Sequence, residues 1–425
     1  MSAAPPDDAV EPLARSAAVR ALCVLVLINL LNYLDRYLVP ALMPDLRNAH
    51  LGLSDFQLGS LTSAFLLVYL AAAPLFGALG DRGSRTRPIA LGVALWSIAT
   101  VFSGFARNYW HLFAGRAAVG IGESAYGTIG PALLADYFPP ASRARAFAVF
   151  GMAIPVGAAL GYVVGGQVDA AYGWRAAFFI AGLPGLLLAG WSLRLPDPPR
   201  GIHDAVPARQ GTKPASRAEV YLLLVQRRPY ALTVLGYAAY TFALGGIAVW
   251  MPTFLVAVRA VPAKQATSGF GAIVIVTGFV GTFVGGWLGD YWLRHSPHAY
   301  LWMSAVITLL AAPAALIALT APLPALYYPA IIAAELLLFM STGPINATIV
   351  NLASPAERAS AVALSVVTIH LLGDVISPPL IGWISDVSSL GRAVLIVPVA
   401  IVAAGVLWLY AAGACGSAER APQLS

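Results

Sequence analysis

Apolar segments long enough to cross a bilayer recur along the chain from residue 20 to residue 412, separated by short polar breaks. About 20 apolar residues in a helix span the hydrocarbon core of a membrane, so each segment predicts one transmembrane helix. Only 10% of the 425 residues are charged, whereas a soluble protein has about 25%. The sequence therefore predicts an all-α integral membrane protein with twelve transmembrane helices. The segments are 20–44, 54–79, 87–106, 108–135, 142–168, 173–193, 229–257, 265–291, 297–320, 324–350, 357–384 and 392–412.

One long polar segment, rich in Pro, Arg and Ala, divides these spans into six and six. Its composition predicts a mobile linker that can include a short amphipathic helix. The first residues of the chain lack the basic and then apolar pattern of a cleavable signal peptide, so the first span should remain in the membrane. The predicted organisation is a tail (1–19), an N-terminal six-helix bundle (20–193), a linker (194–228), a C-terminal six-helix bundle (229–412) and a second tail (413–425).

The distribution of Lys and Arg predicts the orientation of the spans. If the N-terminus is cytoplasmic, 17 of these residues lie on the cytoplasmic side and 6 on the outer side. Positive residues accumulate in cytoplasmic loops, so both termini and the linker should be cytoplasmic. The net charge of +6 is then the usual excess on the inner face, and it indicates no nucleic-acid partner. The Ala- and Arg-rich, Lys-poor composition indicates a bacterial inner membrane.

The two halves of the chain resemble each other. The loop GALGDRGSRTRP contains Asp81 and Arg85, and the later loop GGWLGDYWLRHSP contains Asp290 and Arg294 with the same spacing. A second pair, GPALLADYFPPASRARA and GPINATIVNLASPAERASA, runs in both copies from Gly-Pro to Pro-Ala-x-Arg. The offsets between copies stay between 209 and 215 residues. A nearly constant offset over six spans predicts two halves of the same orientation. Two such six-helix halves resemble the arrangement of the major facilitator superfamily, and the resemblance implies a substrate site between them near the bilayer midplane.

The loop after span 2 resembles the signature loop of the major facilitator superfamily, G-x-x-x-D-R-x-x-R-x-R, and Arg87 is its last arginine. The physical expectation is a gate, because Asp81 could accept hydrogen bonds from the free N–H groups at the start of span 11 in an outward-open state. By the repeat, Asp290 would do the same at the start of span 5. The alternative is a solvated turn. The predicted gating residues are Gly77, Asp81, Arg82, Arg85, Arg143, Asp290 and Arg294.

Span 5 contains Gly151, Gly157, Gly161 and Gly165, the last three at four-residue intervals. This pattern predicts close helix packing. A role in closing the outer vestibule is the alternative.

Charged residues lie inside several spans. A charge at the bilayer centre costs roughly 2.5–3.5 kcal/mol on insertion scales, so such residues are candidates for function. Asp35 and Arg116 lie at about the same depth in spans 1 and 4, which predicts an ion pair. Glu123 lies seven residues beyond Arg116 on the same helix face. Arg36 points about 100° away from Asp35, towards another wall of the cavity or outward. The alternative is a buried ion pair that only fixes helix register.

The second half contains Glu335, and also His370 and Asp374 four residues apart. The histidine and its neighbouring acid could relay protons, and Glu335 could equally be a hydrogen-bonded structural residue.

Three segments resemble the spinster family of the major facilitator superfamily: NYLDR in span 1, GRAAVGIGESAYGTIGPALLADYFP in span 4, and especially HLLGDVISPPLIGWISD in span 11. NYLDR also suits an organic-anion/cation symporter branch. The spinster resemblance implies transport of amphiphiles such as lysophospholipids or sphingosine phosphate. It also implies proton coupling through Asp35, Arg116 and Glu123.

The predicted function is secondary active transport of an anionic, lipid-like substrate by alternating access in a monomer. The alternatives are a proton symporter for small carboxylates and a membrane sensor that does not transport. No nucleotide-binding loop, metal-ligand motif or nucleophile–base set is found, so no ATP, metal, cofactor or enzyme activity is expected. The predicted substrate-binding residues are Arg36, Arg116, Glu123, Tyr126, Tyr237, Tyr240, Glu335, His370 and Asp374.

Overall fold

The computed structural model describes residues 15–203, 217–354 and 357–420, and nearly all of them are helical. The first half contains six helices: α1 (Arg15–Asn48), α2 (Asp55–Arg82), α3 (Thr86–Gly104), α4 (Tyr109–Tyr137), α5 (Pro140–Tyr172) and α6 (Trp174–Ser192). The second part contains α7 (Arg217–Gln226), α8 (Arg228–Ala257), α9 (Ala263–Leu293), α10 (Ala299–Thr320), α11 (Pro324–Asn351), α12 (Arg358–Ile369), α13 (Ser377–Val387), α14 (Leu390–Ala393) and α15 (Ile396–Arg420).

Eleven spans within the described residues are long and apolar enough to cross a membrane. Two of them are composite, since Arg358–Val387 combines α12 and α13, and Leu390–Cys415 combines α14 with most of α15. The helix α4 is the twelfth span. It has 29 residues and packs against α2 and α3, but it is less apolar because it contains Arg116 and Glu123. The predicted twelve-helix fold is confirmed.

Span 11 departs from the regular helix that its apolar pattern predicts. Between α12 and α13, residues His370–Asp374 form a π-helical turn, and Pro378 and Pro379 follow at the start of α13. A π turn adds a residue to one helical turn and turns side chains relative to a regular helix. The hydropathy of a segment is the same with or without such an insertion, so the sequence does not predict the π turn.

Within the first half, α5 packs closely along α1. A Cβ atom at Gly157 would lie 2.6 Å from the carbonyl oxygen of Leu30, and one at Gly161 would lie 2.6 Å from that of Leu34. Only glycine allows the two backbones to approach so closely. Gly151, by contrast, faces open space. Close packing is therefore confirmed for the regularly spaced glycines and is wrong for Gly151.

The two membrane faces of the structure differ. We call the face where α1 begins the tail face, and the face where α1 ends the far face. Near the far face the halves touch: α2 packs against α13, and α5 packs against α9. Gln167 Nε2, for example, donates to Ser268 Oγ at 3.1 Å. On the tail face, the extensive packing of α12 in the described chain is with α7, α8 and α11 of its own half. The halves thus meet at the far face and separate towards the tail face.

The predicted linker is described in part. Residues 204–216 lie outside the described residues, as do residues 1–14 and 421–425 of the predicted tails. The short helix α7 buries Leu224 against the second half, while Leu222 and Leu223 are exposed. Arg227 follows α7 and binds Glu357 at the start of α12 through both terminal nitrogens, at 2.7 and 2.8 Å. The domain boundaries that the sequence predicts remain predictions.

Candidate functional site

Asp35 of the segment NYLDRYL forms the ion pair that its depth in the membrane predicts. Arg116 Nη1 lies 3.0 Å from Asp35 Oδ2. Thr100 Oγ1 of α3 donates a further hydrogen bond to Asp35 Oδ1, at 2.9 Å. Both charged residues are only 2% exposed. Thr100 could not be predicted from the sequence, because a lone threonine in an apolar span carries no distinctive pattern.

Arg36 binds the other charge of α4. Its Nε lies 2.8 Å from Glu123 Oε2, and Glu123 is fully buried. The Arg36 guanidinium also lies 5.0–5.1 Å from the ring centres of Tyr33, Phe65 and Tyr69, within the range of a cation–π contact. Of the two directions that the sequence allowed for Arg36, the structure shows the one towards neighbouring helices and not the outward one. Asp35 and Arg36, adjacent on α1, thus bind Arg116 and Glu123, which lie seven positions apart on α4. The two positive and two negative charges sum to zero.

Gly120, which lies between Arg116 and Glu123 on the same stripe of α4, packs against α2. A Cβ atom at Gly120 would lie 2.4 Å from the carbonyl oxygen of Phe65. Gly120 therefore leaves room for a neighbouring backbone, one of the two roles that the sequence allows. The Phe65 ring lies 5.0 Å from the Arg116 guanidinium and covers it.

Some polar atoms in this cluster have no hydrogen-bond partner among the described residues. They are Arg116 Nε, Glu123 Oε1 and Asn32 Nδ2. Buried polar atoms are usually paired, and an unpaired one is costly. Glu123 thus binds Arg36 through Oε2, and its Oε1 is left without a partner among the described residues.

A cavity of about 220 Å³ lies between the two halves, next to the paired charges. The first half contributes Arg36 and two tyrosines, and the second half contributes His370 and Asp374. Asp35, Arg116 and Glu123 lie behind this surface rather than on it. The lining residues are Tyr33, Arg36, Tyr37, Pro40, Thr62, Phe65, Leu66, Gly245, Ala248, Val249, His370 and Asp374.

His370 and Asp374 occupy the π turn of span 11 and contact each other. His370 Nδ1 lies 2.9 Å from one carboxylate oxygen of Asp374 and 3.0 Å from the other. Both side chains are partly exposed to the cavity. The π turn thus places a polar pair opposite Arg36.

Other predicted substrate-binding residues lie away from the cavity. Tyr126 donates to the carbonyl oxygen of Leu25 at 2.6 Å. Tyr240 donates to the carbonyl oxygen of Leu338 at 2.7 Å. Both tyrosines are at most 2% exposed and pack within their own halves. Their hydroxyl groups therefore satisfy backbone carbonyls in this structure.

Two further predicted residues also lie within the second half. Tyr237 Oη accepts a hydrogen bond from Asn346 Nδ2 at 3.1 Å. Glu335 is 2% exposed and lies beside apolar residues, including Ile247 and Met251. Neither residue lines the cavity.

The loop that resembles the superfamily signature is anchored to its own half. Arg85 is buried and binds the carboxylates of Asp136 and Asp197 and the carbonyl oxygen of Pro198. Burial favours the neutral guanidine, but the hydrogen bonds to the two carboxylates outweigh burial and raise the pKa of Arg85. The sequence suggested nearby acids without identifying Asp136 or Asp197.

Among the other gating residues, Asp81, Arg82, Asp290 and Arg294 make no bridge between the halves within the described part of the chain. Asp81, Arg82 and Arg294 are exposed. Asp290 accepts a hydrogen bond from Tyr300 Oη at 2.6 Å, inside the second half. Arg143 donates to the carbonyl oxygen of Phe138 at 3.3 Å, and a Cβ atom at Gly77 would touch only Thr128. The predicted gate concerns a state in which the tail face is closed, so this open tail face does not test it.

Comparison with known proteins identifies the family. Residues 25–369 match the model of the Major Facilitator Superfamily. Protein spinster homolog 3 of Danio rerio is 36% identical over 409 residues, covering 91% of this chain and 81% of the relative. Protein spinster homolog 1 of Homo sapiens is 35% identical over 393 residues, covering 88% and 73%.

Solved structures share the fold. A bacterial homologue of the human lysosomal transporter spinster, in an inward-facing and unoccupied conformation, superposes with a TM-score of 0.85 at 24% identity, covering 94% of this chain and 98% of that one. The nucleoside transporter NupG gives a TM-score of 0.73 at 13% identity, covering 92% and 98%. This chain belongs to the spinster family of the major facilitator superfamily and is a multi-pass membrane protein of transporter type.

Proposed function

We propose that this protein is a secondary active transporter that moves an anionic, amphiphilic substrate of the lysophospholipid or sphingoid-phosphate type. It works as a monomer by alternating access, coupled to protons. With positive residues inside, the tail face is the cytoplasmic face of a bacterial inner membrane and both termini are cytoplasmic. The structure is then an inward-facing state.

The position of Arg36 supports an anionic substrate most directly. Its guanidinium lines the cavity, and its side chain is 21% exposed although its Nε binds Glu123. The other nitrogens of a guanidinium can bind a phosphate or carboxylate in a forked geometry. Apolar neighbours such as Leu66 and Val249 suit the first carbons of an acyl chain. A cavity that offers the Arg36 guanidinium beside apolar side chains fits an amphiphile, and the His370–Asp374 pair lies across from it.

Proton coupling is proposed through Asp35, Arg116 and Glu123. When Asp35 is ionised, its negative charge compensates the positive charge of Arg116. When Asp35 takes up a proton, Arg116 becomes an uncompensated buried charge, which is a costly state. An anionic head group or the ionised Glu123 can then compensate it. Protonation of Glu123 would in turn free Arg36 for the substrate. Protonation of either carboxyl, Asp35 or Glu123, would therefore raise the affinity of its partner arginine for an anion.

A small organic anion is the second candidate substrate. Drug-sized ligands occupy pockets of roughly 300–1,000 Å³, and this cavity measures about 220 Å³. An amphiphile would have to extend its chain out of the cavity towards the open tail face. A small carboxylate would need no such extension.

Flux measurements in proteoliposomes test the proposal. A lysophospholipid should move when a proton gradient is imposed, and excess unlabelled lysolipid should compete while a small dicarboxylate should not. Competition by the dicarboxylate alone would favour the small-anion symporter. Binding of lysolipid without any flux would show a sensor instead of a transporter. Arg36→Gln should weaken competition by the lysolipid, and Ser388→Ala, on an exposed helix end, should not.

A further inference from the structure

The far-face ends of α2 and α13 are joined by a carboxylate. Asp386, near the end of α13, accepts hydrogen bonds from the backbone N–H groups of Asp55 (2.8 Å) and Phe56 (2.9 Å). These groups begin α2, where backbone donors have no partner inside the helix. The helix dipole also favours a negative charge at this position. A residue of the second half thus caps a helix of the first half.

Neighbouring side chains reinforce the contact. Ser385 Oγ donates to Asp55 Oδ2 at 2.5 Å. Arg47, at the end of α1, binds the same carboxylate through Nε at 2.8 Å and Nη2 at 2.9 Å. Asp55 is only 4% exposed. The ends of α1, α2 and α13 therefore form one hydrogen-bonded cluster on the far face.

The backbones of α2 and α13 also approach closely here. A Cβ atom at Gly59 would lie 2.3 Å from the carbonyl oxygen of Pro378. A Cβ atom at Gly382 would lie 2.3 Å from that of Asp55. Ser63 Oγ donates to the carbonyl oxygen of Val375 at 2.5 Å. Opening of the far face would have to separate these contacts together with the Asp386 cap.

We infer that Asp386 is a positioning residue of the transport cycle, which holds the far face closed while the tail face is open. Its carboxylate must leave the start of α2 before the far face can open. This inference rests on the proposed alternating access. Asp386 lies outside both copies of the signature loop, so the loop does not point to it.

The same two spans would exchange caps between states. Asp81 lies at the other end of α2, about 40 Å away for a helix of this length, and it is exposed here. The start of α12, the tail-face half of span 11, is exposed at Arg358 and Ala359. Span 11 caps α2 through Asp386 when the tail face is open. Span 2 caps α12 through Asp81 when the far face is open.

Replacing Asp386 should shift the population towards the far-face-open state. Loss of a helix cap corresponds to a change of roughly 2- to 30-fold in an equilibrium constant. Asp386→Ala removes both acceptors and should show the larger shift. Asp386→Asn keeps one acceptor oxygen without the charge and should show a smaller shift. Ser388→Ala is the matched control, because Ser388 directly follows α13 and its Oγ donates to the carbonyl oxygen of Ile384 in the same half.

Spin-label distances across the far face test the inference. Labels on His50→Cys and Ser389→Cys, both exposed and on opposite halves, would be introduced after replacing Cys23 and Cys415. Longer distances should gain population in Asp386→Ala, whereas Ser388→Ala should match the parent. A distribution in Asp386→Ala equal to that of Ser388→Ala would overturn the inference.

A double variant tests the exchange of caps. Asp81→Asn should favour the state shown here, so Asp81→Asn/Asp386→Ala should return the distances towards those of the parent. A double variant indistinguishable from Asp386→Ala would contradict the exchange. These distances are measured without substrate at fixed pH. A shift in Asp386→Ala therefore supports the cap even if lysolipid flux is absent and the proposed function fails.

Discussion

The charges of residues 35 and 36 are each matched by an opposite charge on α4. Asp35 binds Arg116 and Arg36 binds Glu123. Depth in the membrane predicts the first pair, because the two residues lie a similar number of residues from the same membrane face. The second pair could not be predicted from depth. It depends on the reach of the Arg36 side chain and on the crossing of α1 and α4, which are properties of packing.

Charge matching leads to a prediction about stability. Arg36→Gln leaves Glu123 buried without its cation, and breaking such a pair costs up to about 3–5 kcal/mol. The double variant Arg36→Gln/Glu123→Gln removes both charges and should recover most of that loss. Thermal unfolding of the purified variants measures the difference. If the double variant is as unstable as Arg36→Gln alone, the pair does not act as a unit.

The stability of the double variant also separates structure from transport. A pair that served only to fix helix register would leave proton-driven flux intact once both charges were removed. The proposed coupling predicts instead a stable protein that has lost the pH dependence of transport.

At the scale of helices, the sequence predicted some packing contacts and not others. Regular glycine spacing predicted a close contact of α5, and the structure identifies α1 as its partner. Neither the π turn of span 11 nor the unpaired Oε1 of Glu123 could be predicted from the sequence. Both depend on the local path of a backbone and on which neighbour covers it, and apolar periodicity does not encode either.

The α1–α5 contact predicts unequal effects of two similar substitutions. Gly161→Ala would place a methyl group 2.6 Å from the Leu34 carbonyl oxygen and should cost about 1–3 kcal/mol through overpacking. Gly151→Ala meets open space and should be neutral or slightly stabilising. Unfolding of both variants in the same detergent makes the comparison. Equal losses would show that the α1–α5 approach is looser than described.

The link between α7 and α12 predicts a pH dependence. Hydrogen bonds from Arg227 and Ser354 lower the pKa of Glu357 to about 2. A carboxyl whose pKa is lowered in the folded state makes its full contribution to folding stability above its ordinary pKa of about 4.3. That contribution is lost as the pH falls towards 2. The link should therefore persist unchanged from pH 7 to pH 5. Hydrogen exchange in α7 measures it, with Glu357→Gln as the broken-link control. Release of α7 between pH 7 and pH 5 would contradict this account.

At the scale of the whole molecule, the apolar segments predicted the twelve-helix fold that the structure and the relatives confirm, and the repeats predicted its two halves. The repeats could not predict which face would be closed. A transporter sequence must encode the contacts of every state it visits, and the gate predicted for the signature loop would form in a state other than the one described. The contacts of Asp386 and Asp55 belong to the present state. They were missed because acids at the ends of spans look like ordinary loop residues.

The proposed cycle requires one arginine to alternate between a protein carboxylate and the substrate. Arg116 is buried against Asp35 in the present state, whereas Arg36 lines the cavity. Arg116→Ala should therefore abolish proton-driven flux by removing the partner of Asp35. Arg36→Gln should mainly weaken substrate affinity. Separate measurement of binding and of flux distinguishes these two outcomes.

The most direct test is proton-driven flux of a labelled lysophospholipid in proteoliposomes that contain Asp35→Asn. The amide imitates the protonated carboxyl, so the variant should still bind the anionic ligand but should no longer respond to an imposed pH gradient. Glu123→Gln should alter the pH dependence of flux. A normal rate with a normal pH dependence in Asp35→Asn would mean that the charge in the first span is structural, and proton coupling through Asp35 would be wrong.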